Sequence, residues 1–168
     1  MARAMKGGLG TASVRAGGIT MGAIVAVNAV GDVIDPTTGR LLAGARTEDG
    51  KALQDTVGST LKGNLSPGMR PGTNTTIGVI ACDAKLTKAQ CQKLAQIAHD
   101  GLARTLQPVH THFDGDTIFA LATGASDLTG NMLLLGVLAA EAMSRAVINA
   151  TVAARGWEGL PAASDLAG

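Results

Sequence analysis

Pro71 to Ala84 reads PGTNTTIGVIACDA, and the change of texture inside it decides the fold. Its start is a Gly/Pro-rich linker. Thr75 to Ala81, TTIGVIA, is a β-favouring apolar run, polar only at its start, which suits a strand beginning at Thr75 and buried on both faces. Downstream, Thr87-Lys88-Ala89-Gln90 has the pattern of a capping box, and Cys91, Leu94, Ile97, Ala98 and Leu102 follow at helical spacing until Pro108. Thr117 to Thr123, TIFALAT, reads as another short strand closed by Gly124. An Ala/Leu/Met-rich helix is then expected from about Leu128 to Arg155, stopped by Gly156, with a turn-like tail from Trp157. Upstream, Gly10 to Arg15 and Ile19 to Val30 form a hairpin around Gly17-Gly18. Gly31 to Thr73, with Asp35-Pro36, Asp49-Gly50 and Ser66-Pro67-Gly68, reads as loop or linker. Hairpin, long loop, strand, helix, strand, helix makes a mixed sheet covered by helices, an α/β (α+β) architecture in one domain.

Composition narrows the function. The chain has 168 residues, 46% of them apolar, yet only one Trp and two Phe, so its core must be built from small aliphatic side chains. With 14 basic and 13 acidic residues the net charge is +1, which gives no field to attract nucleic acid or anionic lipid. The apolar runs Ile19 to Val30 and Met132 to Ala140 fall short of the roughly 18 residues that span a bilayer. Arg3 and Lys6 precede a Gly-rich stretch and not an apolar one, so no secretory signal is read and a cytoplasmic location is expected. Cys82 and Cys91 have neither zinc-ribbon nor redox spacing and read as buried hydrophobes. KGGLGTAS, from Lys6 to Ser13, resembles a phosphate loop only loosely, because no strand precedes it and its glycine spacing is incomplete.

The chemistry centres on the Asn74-Thr75 bond. A hydroxyl residue at the junction of linker and strand can attack the carbonyl before it, and hydrolysis of the resulting ester leaves Thr75 as a new chain end. A free α-amino group, with a pKa of about 7.7 to 8.0, can then take the proton of the side-chain hydroxyl. Thr75 would be nucleophile and base together, a reaction that needs no cofactor and no metal. On spacing alone Asn-Thr-Thr is also an ordinary strand start. The second cluster is His110, His112, Asp114 and Asp116 in HTHFDGDT, which converge on one side if the segment is extended. Paired carboxylates favour a hydroxyl or ammonium partner, so Asp114 and Asp116 are candidates to orient Thr75. A metal site made from the same four residues and a solvated Asp-Gly-Asp turn are the rivals. Lys6 could set a positive charge near a reacting carbonyl, and Asn28, a polar residue in an apolar strand, could donate to an oxyanion.

In order, KGGLGTAS, GAIVAVNAVGDVIDPTTG, NTTIGVIACDA, AHDGLAR and HTHFDGDTIFALATG resemble the L-aminopeptidase/D-esterase family. That family includes β-peptidyl aminopeptidases and endo-type 6-aminohexanoate-oligomer hydrolases. The resemblance implies a precursor that cleaves itself before a Ser or Thr, and α and β chains that stay together in an αββα sandwich of N-terminal-nucleophile type. It also implies further assembly, here a homo-oligomer of αβ units. By this resemblance Asn74-Thr75 is the processed bond, Thr75 the nucleophile, Asp114 and Asp116 the pair acting on it, Asn28 the oxyanion-hole residue and Lys6 an active-site lysine. The set Thr, Asp, Asp is similar to that of the 6-aminohexanoate-oligomer hydrolases, so the implied substrate is a linear amide or the N-terminal residue of a peptide. Family precursors carry a further portion, including a tyrosine, before the KGG motif, and this chain has no Tyr. Residues 1–74 are therefore expected to be the end of an α-chain-like segment and 75–168 a β-chain-like segment, with sheet edges and apolar surface exposed. An inactive chain that serves only in assembly is the alternative from a different class.

Overall fold

The computed structural model describes residues 3–64 and 74–166; the Ser66-Pro67-Gly68 turn and the Pro71-Gly72-Thr73 linker lie outside the described residues. β1 (Leu9–Ala16) and β2 (Ile19–Ala26) form the expected hairpin. Its two-residue turn needs left-handed backbone at both positions, which Gly17 (φ 58°) and Gly18 (φ 79°) adopt without a Cβ clash. β2 ends earlier than its β-rich sequence suggests, and residues 27–30 leave the sheet to build the site.

The described part of the stretch read as loop, residues 31–64, holds three short elements: β3 (Asp32–Ile34), β4 (Leu41–Ala43) and α1 (Thr56–Leu61). Each is too short to give a periodic signal, and a tertiary contact orders them. Asp32, 1% exposed, accepts from the Thr56 N–H (2.6 Å), the Thr56 hydroxyl (2.8 Å) and the Ala45 N–H (3.2 Å). Asp32→Ala would leave those donors buried without an acceptor. It should cost about 2–4 kcal/mol in denaturant unfolding. Burial, which outweighs these hydrogen bonds, pushes the Asp32 carboxyl above its ordinary value. Its contribution to stability is therefore complete below the unfolded-state pKa, about 3.9, and is lost as pH rises through the higher folded value. Asp32→Ala, with nothing to titrate, should lack that loss.

β5 (Ile77–Cys82) begins two residues later than expected and α2 (Lys88–Ala103) starts on the predicted capping box, with the Thr87 hydroxyl accepting from the Gln90 N–H. β6 (Leu106–Gln107), β7 (Thr117–Ala122) and α3 (Met132–Ala153) complete the chain, followed by a single 3-10 turn at Ala163–Asp165. α3 is capped by Asn131 and ends at Ala154 in extended backbone, so Gly156 is not its stop. With 22 residues at mean hydropathy 1.5 it is long and apolar enough to cross a bilayer by length and composition. Its apolar reach was underrated because Glu141 interrupts the run, yet Glu141 sits on the more open side and pairs with Arg145 (2.8 Å). The opposite side, with Leu135, Ala139, Met143 and Val147, is buried against the sheet and α2.

The sheet order is β1-β2-β5-β7, with β4-β3-β6 as a smaller sheet beside it. β5 runs antiparallel to β2 and parallel to β7, the latter joined through α2 as a parallel pair requires. Helices cover one face, where Ile19, Met21, Val25, Ile80 and Ile118 form the core with α2 and α3. Small residues bring the layers close: a Cβ on Gly10 would stand 2.1 Å from the Ala146 carbonyl oxygen. The other face is apolar but open, so β5 is not buried on both sides as expected. Ile24, Val79 and Phe119 lie side by side across it, with Phe119 60% exposed, and Leu9, Ile77 and Leu121 flank them. The mixed α/β architecture is the expected one, and the described residues provide a helical layer and a main sheet layer of the αββα sandwich.

Candidate active site

Strand directions decide what meets at the end of the sheet. Antiparallel β2 and β5 set Ala26 opposite Ile77, and parallel β5 and β7 set Ile77 beside Thr117. The residues leaving β2 and those entering β5 and β7 must therefore converge, which brings together 28, 74–76 and 114–116. The Thr75 N–H donates to the Asn28 carbonyl oxygen (2.7 Å), and the Gly115 N–H donates to the Asn74 carbonyl oxygen (2.9 Å). A Cβ on Gly115 would lie 2.7 Å from Thr75 Oγ1, so the hydroxyl rests directly over that glycine. On the next residue, fully buried Thr76, the N–H donates to Asp116 Oδ1 (2.9 Å), while its hydroxyl has no hydrogen-bond partner among the described residues.

The two carboxylates frame this corner from different sides. Asp116, its side chain 3% exposed, accepts from Thr76 through Oδ1 and meets His110 Nδ1 through Oδ2 (2.9 Å). Asp114 accepts from the Thr111 hydroxyl (2.7 Å), the Thr111 N–H (3.0 Å) and the Val30 N–H (3.3 Å), tying the turn before β7 to the exit of β2. The two carboxylates thus bond to the surroundings of Thr75 and not to its hydroxyl. His99, on α2, lies edge-on to His110 with ring centroids 4.8 Å apart. Burial first, and His110 second, hold the His99 imidazole below its ordinary pKa.

The four residues of the His/Asp cluster do not meet as one group: His110 pairs with Asp116, while Asp114 bonds to Thr111 and Val30. Residues 110–113 bend and turn, with His110 in left-handed backbone (φ 55°) and the His112 ring against Phe113, centroids 3.7 Å apart; from Asp114, which is bridged to Asn74, the chain runs extended beside residues 74–76. Alternation therefore fails for the two histidines and holds only from Asp114 onward, and among the described residues no group of three or more His, Cys, Asp or Glu is arranged to hold a metal ion. Lys6 lies half-buried in the segment before β1, with its N–H on the Pro161 carbonyl oxygen (2.8 Å). The next residues run beside Val27 and Asn28: the Val27 N–H donates to the Gly8 carbonyl oxygen (2.9 Å), and a Cβ on Gly7 would fall on the Val27 carbonyl. Cys82 is buried as expected and Cys91 half-buried, both as free thiols. Two surface clefts, one lined by Arg46, Arg155 and Trp157 and the other by Ser13, Arg104 and Asn149, lie elsewhere. Sequence reasoning missed Gly115, Thr111 and His99. Gly115 was visible as the centre of Asp-Gly-Asp, but its use as a seat for a hydroxyl 40 positions away depends on the parallel strand pair.

The chain belongs to peptidase family S58, whose model matches residues 1–163. It is 41% identical over 184 aligned residues to an uncharacterized aminopeptidase of Mycobacterium tuberculosis, covering 98% of this chain and 53% of that protein. It is 30% identical over 156 residues to the 6-aminohexanoate-oligomer endohydrolase of a Kocuria species, covering 85% of this chain and 44% of that one. The chain thus spans about half the length of the curated relatives it matches. Its fold is similar to that of the L-aminopeptidase D-Ala-esterase/amidase of Ochrobactrum anthropi, described as a new variant among the Ntn hydrolase fold. The TM-score is 0.58 at 23% identity, over 92% of this chain and 42% of the other.

Proposed function

We propose that this chain carries the self-processing and catalytic centre of an N-terminal-nucleophile amidase, with Thr75 as nucleophile. The observation that carries the reading is the placement of the Thr75 hydroxyl over Gly115, beside an Asn74 carbonyl and a Thr75 amide each fixed by a main-chain hydrogen bond. Attack by Thr75 Oγ on the Asn74 carbonyl carbon, collapse with loss of the Thr75 nitrogen, and hydrolysis of the ester by water yield the Asn74 carboxylate and a free Thr75 amine. The Asn28 carbonyl that now holds the Thr75 N–H would then hold that amine, facing it toward its own hydroxyl as general base.

In turnover the amine takes the hydroxyl proton, Oγ attacks the substrate carbonyl, the leaving amine receives the proton, and water releases the acyl group. Asp116 and Asp114 fix the two turns that carry these atoms. Lys6 and the Asn28 side chain have the electrostatic roles that the family resemblance implies. The names of the relatives support linear amides or N-terminal peptide residues as substrates, with 6-aminohexanoate oligomers as the first compounds to try. The test is intact-mass analysis and N-terminal sequencing of the purified protein, with hydrolysis assays on those oligomers and on aminoacyl anilides. A fragment beginning at Thr75 is expected. A chain that stays whole under native conditions counts decisively against the proposal.

A further inference from the structure

We infer that the Gly115 main-chain N–H is the oxyanion donor of the cleavage after Asn74, and that residue 115 must be glycine for the attacking hydroxyl to reach its place. This rests on the proposed processing at Thr75 and adds a catalytic group to it. Two independent observations carry it. The Gly115 N–H already holds, at 2.9 Å, the oxygen of the carbonyl that Thr75 would attack, and that oxygen gains the negative charge when the carbon becomes tetrahedral. The space where a side chain on 115 would begin is taken by Thr75 Oγ1, 2.7 Å away.

The same residue therefore receives both ends of the reacting system. As Oγ bonds to the Asn74 carbonyl carbon, the π pair moves onto the oxygen facing the Gly115 N–H. When the pair returns, the bond to the Thr75 nitrogen breaks and that nitrogen takes the hydroxyl proton, leaving an ester that water cleaves. Gly115 is itself fixed by its neighbours in the chain. Asp114 is bonded to Val30 and Thr111, and Asp116 to Thr76 and His110, so the N–H is held in place before charge develops.

The decisive change is to the main chain. Glycolic acid introduced at position 115 by nonsense suppression turns the amide into an ester, removing the N–H without adding a Cβ. The control is the α-hydroxy analogue of threonine at position 117, which keeps the Thr117 side chain and its hydroxyl bond to the Gly115 carbonyl (3.0 Å) and removes only the N–H, whose equivalent bond goes to the Thr76 carbonyl (3.0 Å), which does not react. Cleavage of the 115 ester is expected to slow by on the order of 10²–10³-fold, with the 117 ester close to wild type. A second readout needs no reaction. In the inert Thr75→Val precursor, carbonyl carbon-13 Asn with nitrogen-15 Val isolates the peptide bond after Asn74, and its carbonyl resonance should move upfield when the 115 ester is present. Equal rates for the 115 ester and wild type, equal slowing by both esters, or an unmoved carbonyl resonance overturns the role of Gly115 while leaving Thr75 as nucleophile. A wild-type chain that never cuts defeats the parent proposal and this role together.

Discussion

Thr75→Ala is expected to leave the chain whole and to lower amide hydrolysis by on the order of 10⁵–10⁶-fold, the scale seen when a covalent nucleophile is removed. The loss is large because one oxygen serves two reactions: without it no acyl shift frees the amine, and without the amine no base would remain at the site. Folding should be little affected, since the hydroxyl rests over Gly115 while the two fixed hydrogen bonds here use main-chain atoms of 28, 74, 75 and 115. Thr75→Ser, which keeps the oxygen but loses the β-branch that limits χ1, should still cut, more slowly. Intact mass followed over time, beside the hydrolysis assay, checks both variants. Cleavage that persists in Thr75→Ala would remove this residue from the mechanism.

Asp116→Ala should have the second largest effect, and it should appear in both stability and rate. Its carboxylate is almost fully enclosed and serves the Thr76 N–H on one side and His110 on the other. Removing it orphans a buried N–H on a residue whose hydroxyl already lacks a partner, at a cost of about 1–3 kcal/mol. For a chain of this size that is roughly 2–4 °C in melting temperature per kcal/mol. The peptide joining Thr75 to Thr76 loses its anchor as well, and misplacement by about 1 Å is enough to slow cleavage about 10²-fold. Asp116→Asn should be much milder: its Oδ1 still accepts from Thr76, and its Nδ2–H can donate to His110 Nδ1 in the tautomer that leaves that nitrogen unprotonated. Melting curves and time-resolved mass spectra distinguish these outcomes. An Asp116→Ala chain that cuts at the wild-type rate would show that the carboxylate has no part in placing the nucleophile.

Much of the fold was legible because its long elements carry local signals. The Gly17-Gly18 turn, the Thr87/Gln90 capping box and the spacing of Leu94, Ala98 and Leu102 each specify their element without help from distant residues. β3, β4 and α1 were not legible, since their order depends on one buried carboxylate, Asp32, gathering donors from Ala45 and Thr56. Periodicity also misread β5, whose outer face is as apolar as its inner one although no described residue covers it. At the candidate site, Thr75, Asn74, Asn28, Asp114 and Asp116 lie at one corner of the sheet, Asn28 through its main-chain carbonyl. What the two carboxylates touch was not readable, because alternation presumes an extended chain and His110 breaks it with a left-handed residue. Gly115 illustrates the limit: a residue whose contribution is an empty volume and a main-chain proton leaves no chemical trace in its letter.

The ladders that cross the Asn74-Thr75 bond have a thermodynamic consequence. In the main sheet β2, from before the bond, pairs with β5, from after it; in the smaller sheet β3 pairs with β6, and α3 lies over β1 and β2, so both sheets and the core are shared across the bond. Were that bond cut, neither piece would keep a whole sheet or the covered core, and the cohesion of the pair would become a matter of mass action. Unfolding would then be dissociation and refolding a second-order encounter, so the uncut chain can recover at any dilution whereas the cut one, diluted far enough while unfolded, would fail to reassemble.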